Sequence, residues 1–194
     1  MKKIVGITGG IGSGKSVIGK ILTTMGYPVY YSDQAAKELM ESDAVIIKEL
    51  NQLFDNKAYE DGKLNRNYLA QQIFSNPELK GKVNKIVHPR VRAHFNEFVK
   101  QQDCPLVFNE AAILFETGGN KNFDAIILVV ADEKVRVNRV MERDGVSKEE
   151  VVSRINNQWS DEKKKALTEF IIYNNPSDLL VPQLNAILKK LMDK

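Results

Sequence analysis

The chain has 194 residues, 43% of them hydrophobic and 27% charged, with a net charge of +3. That is the composition expected of a soluble globular chain large enough for a real core, and its mild positive balance gives no argument for nucleic acid as a partner. The single cysteine, Cys104, excludes an internal disulfide and has no nucleophile motif around it; no apolar run approaches the roughly 20 residues of a membrane helix, and with no signal-peptide pattern before the first strand the expected location is the cytoplasm.

Ile4 to Thr8 is a short apolar run rich in β-branched residues and reads as a buried strand. Gly9-Gly10-Ile11-Gly12-Ser13-Gly14-Lys15-Ser16 follows at the spacing G-x-x-x-x-G-K-[ST], a phosphate-binding loop. The glycines let successive backbone N–H groups of residues 10 to 17 turn inward as a nest for anionic oxygens, and the next helix aims its positive end at the same point. Lys15 supplies charge for the β- and γ-phosphates and Ser16 a hydroxyl for Mg²⁺. Val17 stands where a threonine hydroxyl is frequent, leaving only its backbone N–H for phosphate.

Val17 to Met25 predicts a helix with one apolar face, ended by Gly26. Pro28 to Ser32 predicts a second strand finishing at Asp33, where α/β folds bind ligands. Asp33 is a candidate general base for an acceptor hydroxyl, with a helix N-cap before Gln34 as the alternative. Residues 34–100 read as helices over Ala35–Met40, Ala44–Leu53, Tyr68–Ser75 and Pro77–Val99, with a turn at Asp61-Gly62. So long an excursion between strands predicts an inserted helical subdomain over the acceptor. Its candidate anion partners are Arg66, Lys85, His88, Arg90 and Arg92, with solvated basic residues as the alternative; His88 and His94 do not make a metal site.

Leu106 to Glu110 predicts a third strand, and Glu110 is placed to hold Mg²⁺ through water. Ala111 to Glu116 reads as helical, before a loop at Gly118-Gly119-Asn120. Asp124 to Val130 is nearly continuous apolar sequence, as in a parallel strand buried on both faces. In the charged stretch from Asp132 to Ala166, Arg136, Arg139 and Arg143 share a helix face, and Ser147-Lys148-Glu149-Glu150 is a capping box. Arg154 and Gln158 follow it. A mobile lid closing its arginines over a triphosphate is the functional reading; a solvated helix pair is the other. Phe170 to Tyr173 predicts a fifth strand, ending at Asn174-Asn175-Pro176, and Ser177 to Met192 a final amphipathic helix.

Taken together, Thr8 to Ser16, Asp33, Gly62-Lys63-Leu64-Asn65-Arg66 with Leu69 and Phe74, His88-Pro89, Leu114-Phe115-Glu116, Arg139 with Arg143-Asp144, Arg154 with Gln158, and Asn174-Asn175 make the sequence similar to the dephospho-CoA kinase family along nearly its whole length. Asn65 and Pro176 stand where aspartate and glycine are common in that family. The resemblance implies a P-loop kinase fold: a five-stranded parallel sheet flanked by helices, a helical substrate-binding insertion and a helical lid. It divides the chain into a nucleotide-binding core (1–34, 101–134 and 167–194), an acceptor subdomain (35–100) and a lid (135–166). It implies ATP-dependent phosphorylation of the ribose 3′-hydroxyl of dephospho-CoA, with Mg²⁺ beside ATP. Asp33 would be the base, Lys15 and Arg139 catalytic partners of the phosphates, and Ser16 the metal ligand. Gly10 to Val17, Arg139, Arg143, Asn174 and Asn175 would hold ATP, and Asp33, Arg66, His88 and Arg92 the acceptor. The expected partners are the two small molecules, with no nucleic acid and no membrane, for a monomer or weak homo-oligomer. The alternatives are another small-molecule or nucleotide P-loop kinase, or a nucleotide-dependent regulatory switch; against the switch, no Asn-Lys-x-Asp guanine-reading motif occurs.

Overall fold

The computed structural model describes residues 2–74 and 76–193. Ser75, the expected end of one helix, lies outside the described residues, as does the side chain of Phe74. The chain divides into two compact units, Met1–Tyr30 with Gln102–Lys194, and Tyr31–Gln101.

The first unit is built on β1 (Lys3–Gly9), α1 (Lys15–Thr24) and β2 (Val29–Tyr31), then resumes after the second unit. Its five-stranded sheet includes β5 (Leu106–Glu110), β6 (Ala125–Val130) and β7 (Phe170–Tyr173), in the order β2-β5-β1-β6-β7. β1 runs parallel to β5 and β6, and β6 parallel to β7. Alternate residues make one face: Val5 and Ile7, Leu106 and Phe108, Ile127 and Val129, Phe170 and Ile172. Onto it pack Ile18 and Leu22 of α1 and Leu184, Ile187, Leu188 and Leu191 of α9 (Leu180–Asp193). α9 starts three residues later than the sequence predicts. Pro182 is accommodated in its first turn, where no backbone N–H is needed inside the helix.

Residues 111–116 are not the expected helix. They form consecutive turns leading to a 3₁₀ segment, Gly119–Asn122. Leu114 and Phe115 are buried, and a Cβ on Gly6 would come within 2.8 Å of Leu114 Cδ1. The connection thus follows the sheet surface, trading helical bonds for burial of two large side chains. Residues 135–166, the expected lid, belong to this unit: α6 (Glu133–Asp144), α7 (Lys148–Asn156) and a short α8 (Asp161–Lys165). Ser147 caps α7 by accepting from Glu150 N, and Ser160 caps α8 by accepting from Lys163 N.

The second unit has its own core of Ile46, Leu50, Phe54, Ala58, Leu69, Val83 and Val87. It comprises α2 (Ser32–Ser42), α3 (Ala44–Leu53), the hairpin β3 (Tyr59–Glu60) and β4 (Lys63–Leu64), α4 (Arg66–Phe74) and α5 (Pro77–Lys100). The hairpin was not expected, but its turn was. Asp61 and Gly62 both have positive φ, 48° and 76°, as a two-residue hairpin loop requires. α5 continues through Pro89. Proline has no N–H, so the carbonyl of Lys85 lacks its helical donor at that point.

Candidate active site

The phosphate loop joins β1 to α1, and its backbone explains its glycines. Gly12 and Gly14 sit at φ of 77° and 93°, left-handed conformations that side chains disfavour. A Cβ on Gly14 would lie 2.0 Å from Asn174 Nδ2, and one on Gly12 would lie 2.5 Å from the carbonyl oxygen of Arg136. The loop is therefore pressed between the end of β7 and the start of α6. Asn174 Nδ2 donates to Ser13 O at 2.8 Å in a buried contact. Arg136 Nε donates to Ile11 O at 2.9 Å, and Ile11 N donates to Gln158 Oε1 at 2.8 Å. Lys15 Nζ reaches back to Gly10 O at 3.4 Å, a long and weak bond.

Two donors at the loop are left over. The Ser13 hydroxyl is buried with no hydrogen-bond partner. So is Nη1 of Arg139, which stands 3.9 Å from where a Cβ on Gly14 would be. A buried donor without an acceptor is costly. Both fit an anionic oxygen. Ser16 is exposed in the first turn of α1. Among the described residues no group of three or more His, Cys, Asp or Glu could hold a metal ion. The Ser16 hydroxyl in that exposed turn is a hard oxygen donor of the kind Mg²⁺ takes.

The other expected ATP residues have other occupations. Arg143 forks onto Asp144 at 2.7 and 3.0 Å, and Asp144 also receives Arg154. Its hydrogen bonds to Arg143 chiefly hold the Asp144 carboxyl below the usual range. Asn175 Oδ1 accepts from Asp132 N, and Asn175 N donates to Asp178 Oδ2. Val17 is exposed in the first turn of α1. Glu110 is buried at the end of β5, in register with Ile7 of β1.

In the second unit, Asp33 is exposed in the first turn of α2. The helix begins at Ser32 with Tyr31 in the cap position, so Asp33 is not the N-cap. His88 and Arg92 line a cavity of about 470 Å³ with Asn84, Lys85, Pro89, Ala93 and Asn96. Pro89, at which α5 loses one helical hydrogen bond, is itself among the residues lining that cavity. Burial is the main cause that lowers the His88 pKa, and the Arg92 charge adds to it; Asp33 is near enough to oppose both. Arg66 bonds Glu41 at 2.7 Å on the surface, and Arg90 bonds Asp43, the N-cap of α3.

Sequence reasoning missed Arg136, Asn174 and Gln158 as braces of the loop. Its spacing groups Arg136 with the lid arginines, yet it is only 6% exposed and pairs with Asp161 at 3.2 Å. Helical spacing puts it on the face of Arg139 and carries no mark of burial.

The profile of the family described as dephospho-CoA kinase matches residues 3–179. A dephospho-CoA kinase from Bacteroides fragilis is 41% identical over 191 residues, covering 98% of this chain and 93% of the relative. One from Porphyromonas gingivalis is 42% identical, covering 98% and 95%. A crystal structure of a Thermus thermophilus protein superposes with a TM-score of 0.85 at 36% identity, covering 99% of this chain and 97% of the other.

Proposed function

The chain belongs to the dephospho-CoA kinase family, and from that premise we propose that it transfers the γ-phosphoryl group of ATP to the ribose 3′-hydroxyl of dephospho-CoA, giving coenzyme A and ADP. The observation that carries the ATP half is Arg139 Nη1, buried without a partner beside the glycine loop. A guanidinium held there offers its charge to phosphate oxygens at no cost of rearrangement during the reaction. Lys15 exchanges its long bond to Gly10 O for the β- and γ-phosphates, and the N–H groups at the start of α1 receive the rest. Ser16 would hold Mg²⁺, which when bound would supply positive charge to offset that of the phosphates.

Asp33 is the base in this reading. Its carboxylate accepts the proton of the 3′-hydroxyl as that oxygen bonds to the γ-phosphorus and the β–γ bridging bond breaks, with ADP leaving. The acceptor's anionic groups go to His88 and Arg92 around their cavity and to Arg66. Residues 135–166 act as the lid that excludes water. Glu110 would steady the metal through water. The protein would work in the cytoplasm on small molecules, as a monomer or weak homo-oligomer; among the described residues no helix is long and apolar enough to cross a membrane.

The experiment is ADP release from Mg·ATP with and without dephospho-CoA, with AMP and shikimate as control acceptors. Stimulation by dephospho-CoA alone, with a product carrying phosphate on the 3′-oxygen, is the expected result. Slow hydrolysis that no acceptor stimulates would return the chain to the regulatory reading.

A further inference from the structure

Ile11 is held on three sides by the α6–α8 segment. Its N–H donates to Gln158, its carbonyl accepts from Arg136, and its side chain packs with Val137, Val140 and Val151. Its neighbours leave no slack: a Cβ on Gly10 would lie 2.2 Å from Arg136 Nη2. Both polar groups of one loop residue are thus claimed by side chains from another segment, which packing alone does not need.

The α7–α8 end of the segment is itself anchored. Arg136 Nη1 meets Asp161 Oδ2 at 3.2 Å, with both side chains largely buried. One turn along α8, Lys164 is fully buried and stands 2.8 Å from Glu116 Oε1, an ion-pair distance though not aligned as a hydrogen bond. The same Glu116 oxygen accepts from Trp159 N at 3.2 Å. Residues 158–164 are therefore tied to the phosphate loop at one end and to the β5–β6 connection at the other. Buried ion pairs add little net stability because desolvation offsets their attraction; their best-attested use is to fix register. Phosphoryl transfer is a reaction of positioning, where a shift of about 1 Å costs on the order of a hundredfold in rate.

We infer that Gln158 and Arg136 are positioning residues for the phosphoryl transfer: they hold the Ile11 peptide, and through it the loop, in the place set by the α7–α8 connection. This rests on reading the loop as the ATP site. Neither side chain need touch substrate, since each acts through Ile11.

The test uses the full chain. Gln158→Leu keeps the size and removes the acceptor; Gln158→Glu keeps an acceptor oxygen. Arg136→Lys keeps a charge for Asp161 and loses the planar fork that also reaches Ile11. Steady-state kinetics with ATP and dephospho-CoA are combined with ATP affinity by calorimetry without acceptor, and with thermal unfolding. For Gln158→Leu and Arg136→Lys the expected result is a loss of roughly tenfold or more in kcat, with KM and Kd for ATP raised severalfold. The KM for dephospho-CoA stays within about twofold, and Gln158→Glu recovers most of the kcat. Wild-type ATP affinity and kcat in both disruptive variants would overturn the inference. So would a loss that follows a lowered Tm and that Gln158→Glu does not recover. If Gln158→Leu fails to fold, Arg136→Lys against Gln158→Glu decides. If the wild type does not phosphorylate dephospho-CoA, the functional reading fails, and the ATP affinities still decide this one.

Discussion

At Arg139 a guanidinium nitrogen is buried beside the phosphate loop without an acceptor, an arrangement that costs about 1–3 kcal/mol in the unliganded protein. Removing it relieves that penalty and takes away the charge that the proposed transfer draws on. Arg139→Ala should therefore lower kcat by about two orders of magnitude while leaving Tm unchanged or slightly raised; calorimetric unfolding beside steady-state kinetics checks both. An unfolded variant, or one merely less stable in proportion to its lost activity, would sink the assignment. Asp33 presents the opposite case. It is exposed on the first turn of α2, so Asp33→Asn should fold normally, bind ATP with unchanged affinity and turn over at background rate. Near-normal turnover in that variant would remove Asp33 as the base.

The elements that carry these residues differ in how far they tolerate change. Gly14 caps the start of α1 and Gly26 follows its C-cap Met25, both with positive φ, 93° and 87°, yet their surroundings differ. A methyl at Gly14 meets Asn174 Nδ2 at 2.0 Å; at Gly26 it meets nothing within 4 Å. Gly26→Ala should cost only the left-handed strain, about 1–2 kcal/mol, with kinetics intact, whereas Gly14→Ala should lose ATP binding as well as stability; paired Tm and ATP titrations separate the two. On α5, burial first and then the Arg92 charge keep His88 neutral to lower pH than a free imidazole, against the pull of Asp33. Below the ordinary pKa of 6.5 the unfolded chain takes up a proton that the folded one resists, so this histidine's contribution to stability is whole above that pH and declines as pH falls beneath it. An imidazole NMR titration should place the midpoint of His88 below 6.5, and Arg92→Ala should move it upward; an unmoved midpoint would mean that Arg92 is not a cause. These elements were unequally legible in the sequence. Short apolar runs rich in β-branched residues mark β1 and β6, and the glycine spacing marks the loop between β1 and α1. Residues 111–116 look helical and are not, because Leu114 and Phe115 are drawn down onto the sheet near Gly6. The run Asp161-Glu162-Lys163-Lys164-Lys165 reads as solvated surface. Its two inward side chains find partners, Arg136 and Glu116, that lie far away along the chain, where no local periodicity reaches.

For the molecule as a whole, the two cores divide the work that the proposed reaction requires. The loop, Arg139 and their braces belong to Met1–Tyr30 with Gln102–Lys194; Asp33, Arg66, His88 and Arg92 belong to Tyr31–Gln101. Ligand binding should therefore write two separate protection patterns. Mg·ATP at about 100 times its Kd stabilises the native state by about 2.7 kcal/mol, which for a chain of this size raises Tm by roughly 5–10 °C. Hydrogen exchange with ATP alone should slow at residues 10–17 and along α6, and leave α5 unchanged. Dephospho-CoA alone should also raise Tm, with slowed exchange around Pro89 in α5, because the cavity lined by His88 and Arg92 is built entirely from residues of Tyr31–Gln101. Protection of the glycine loop by dephospho-CoA alone, with α5 untouched, would move the acceptor out of Tyr31–Gln101 and leave that unit without its assigned task. Protection of α5 alone keeps the acceptor where the basic groups are, and the rate with both substrates then measures what bringing them together adds.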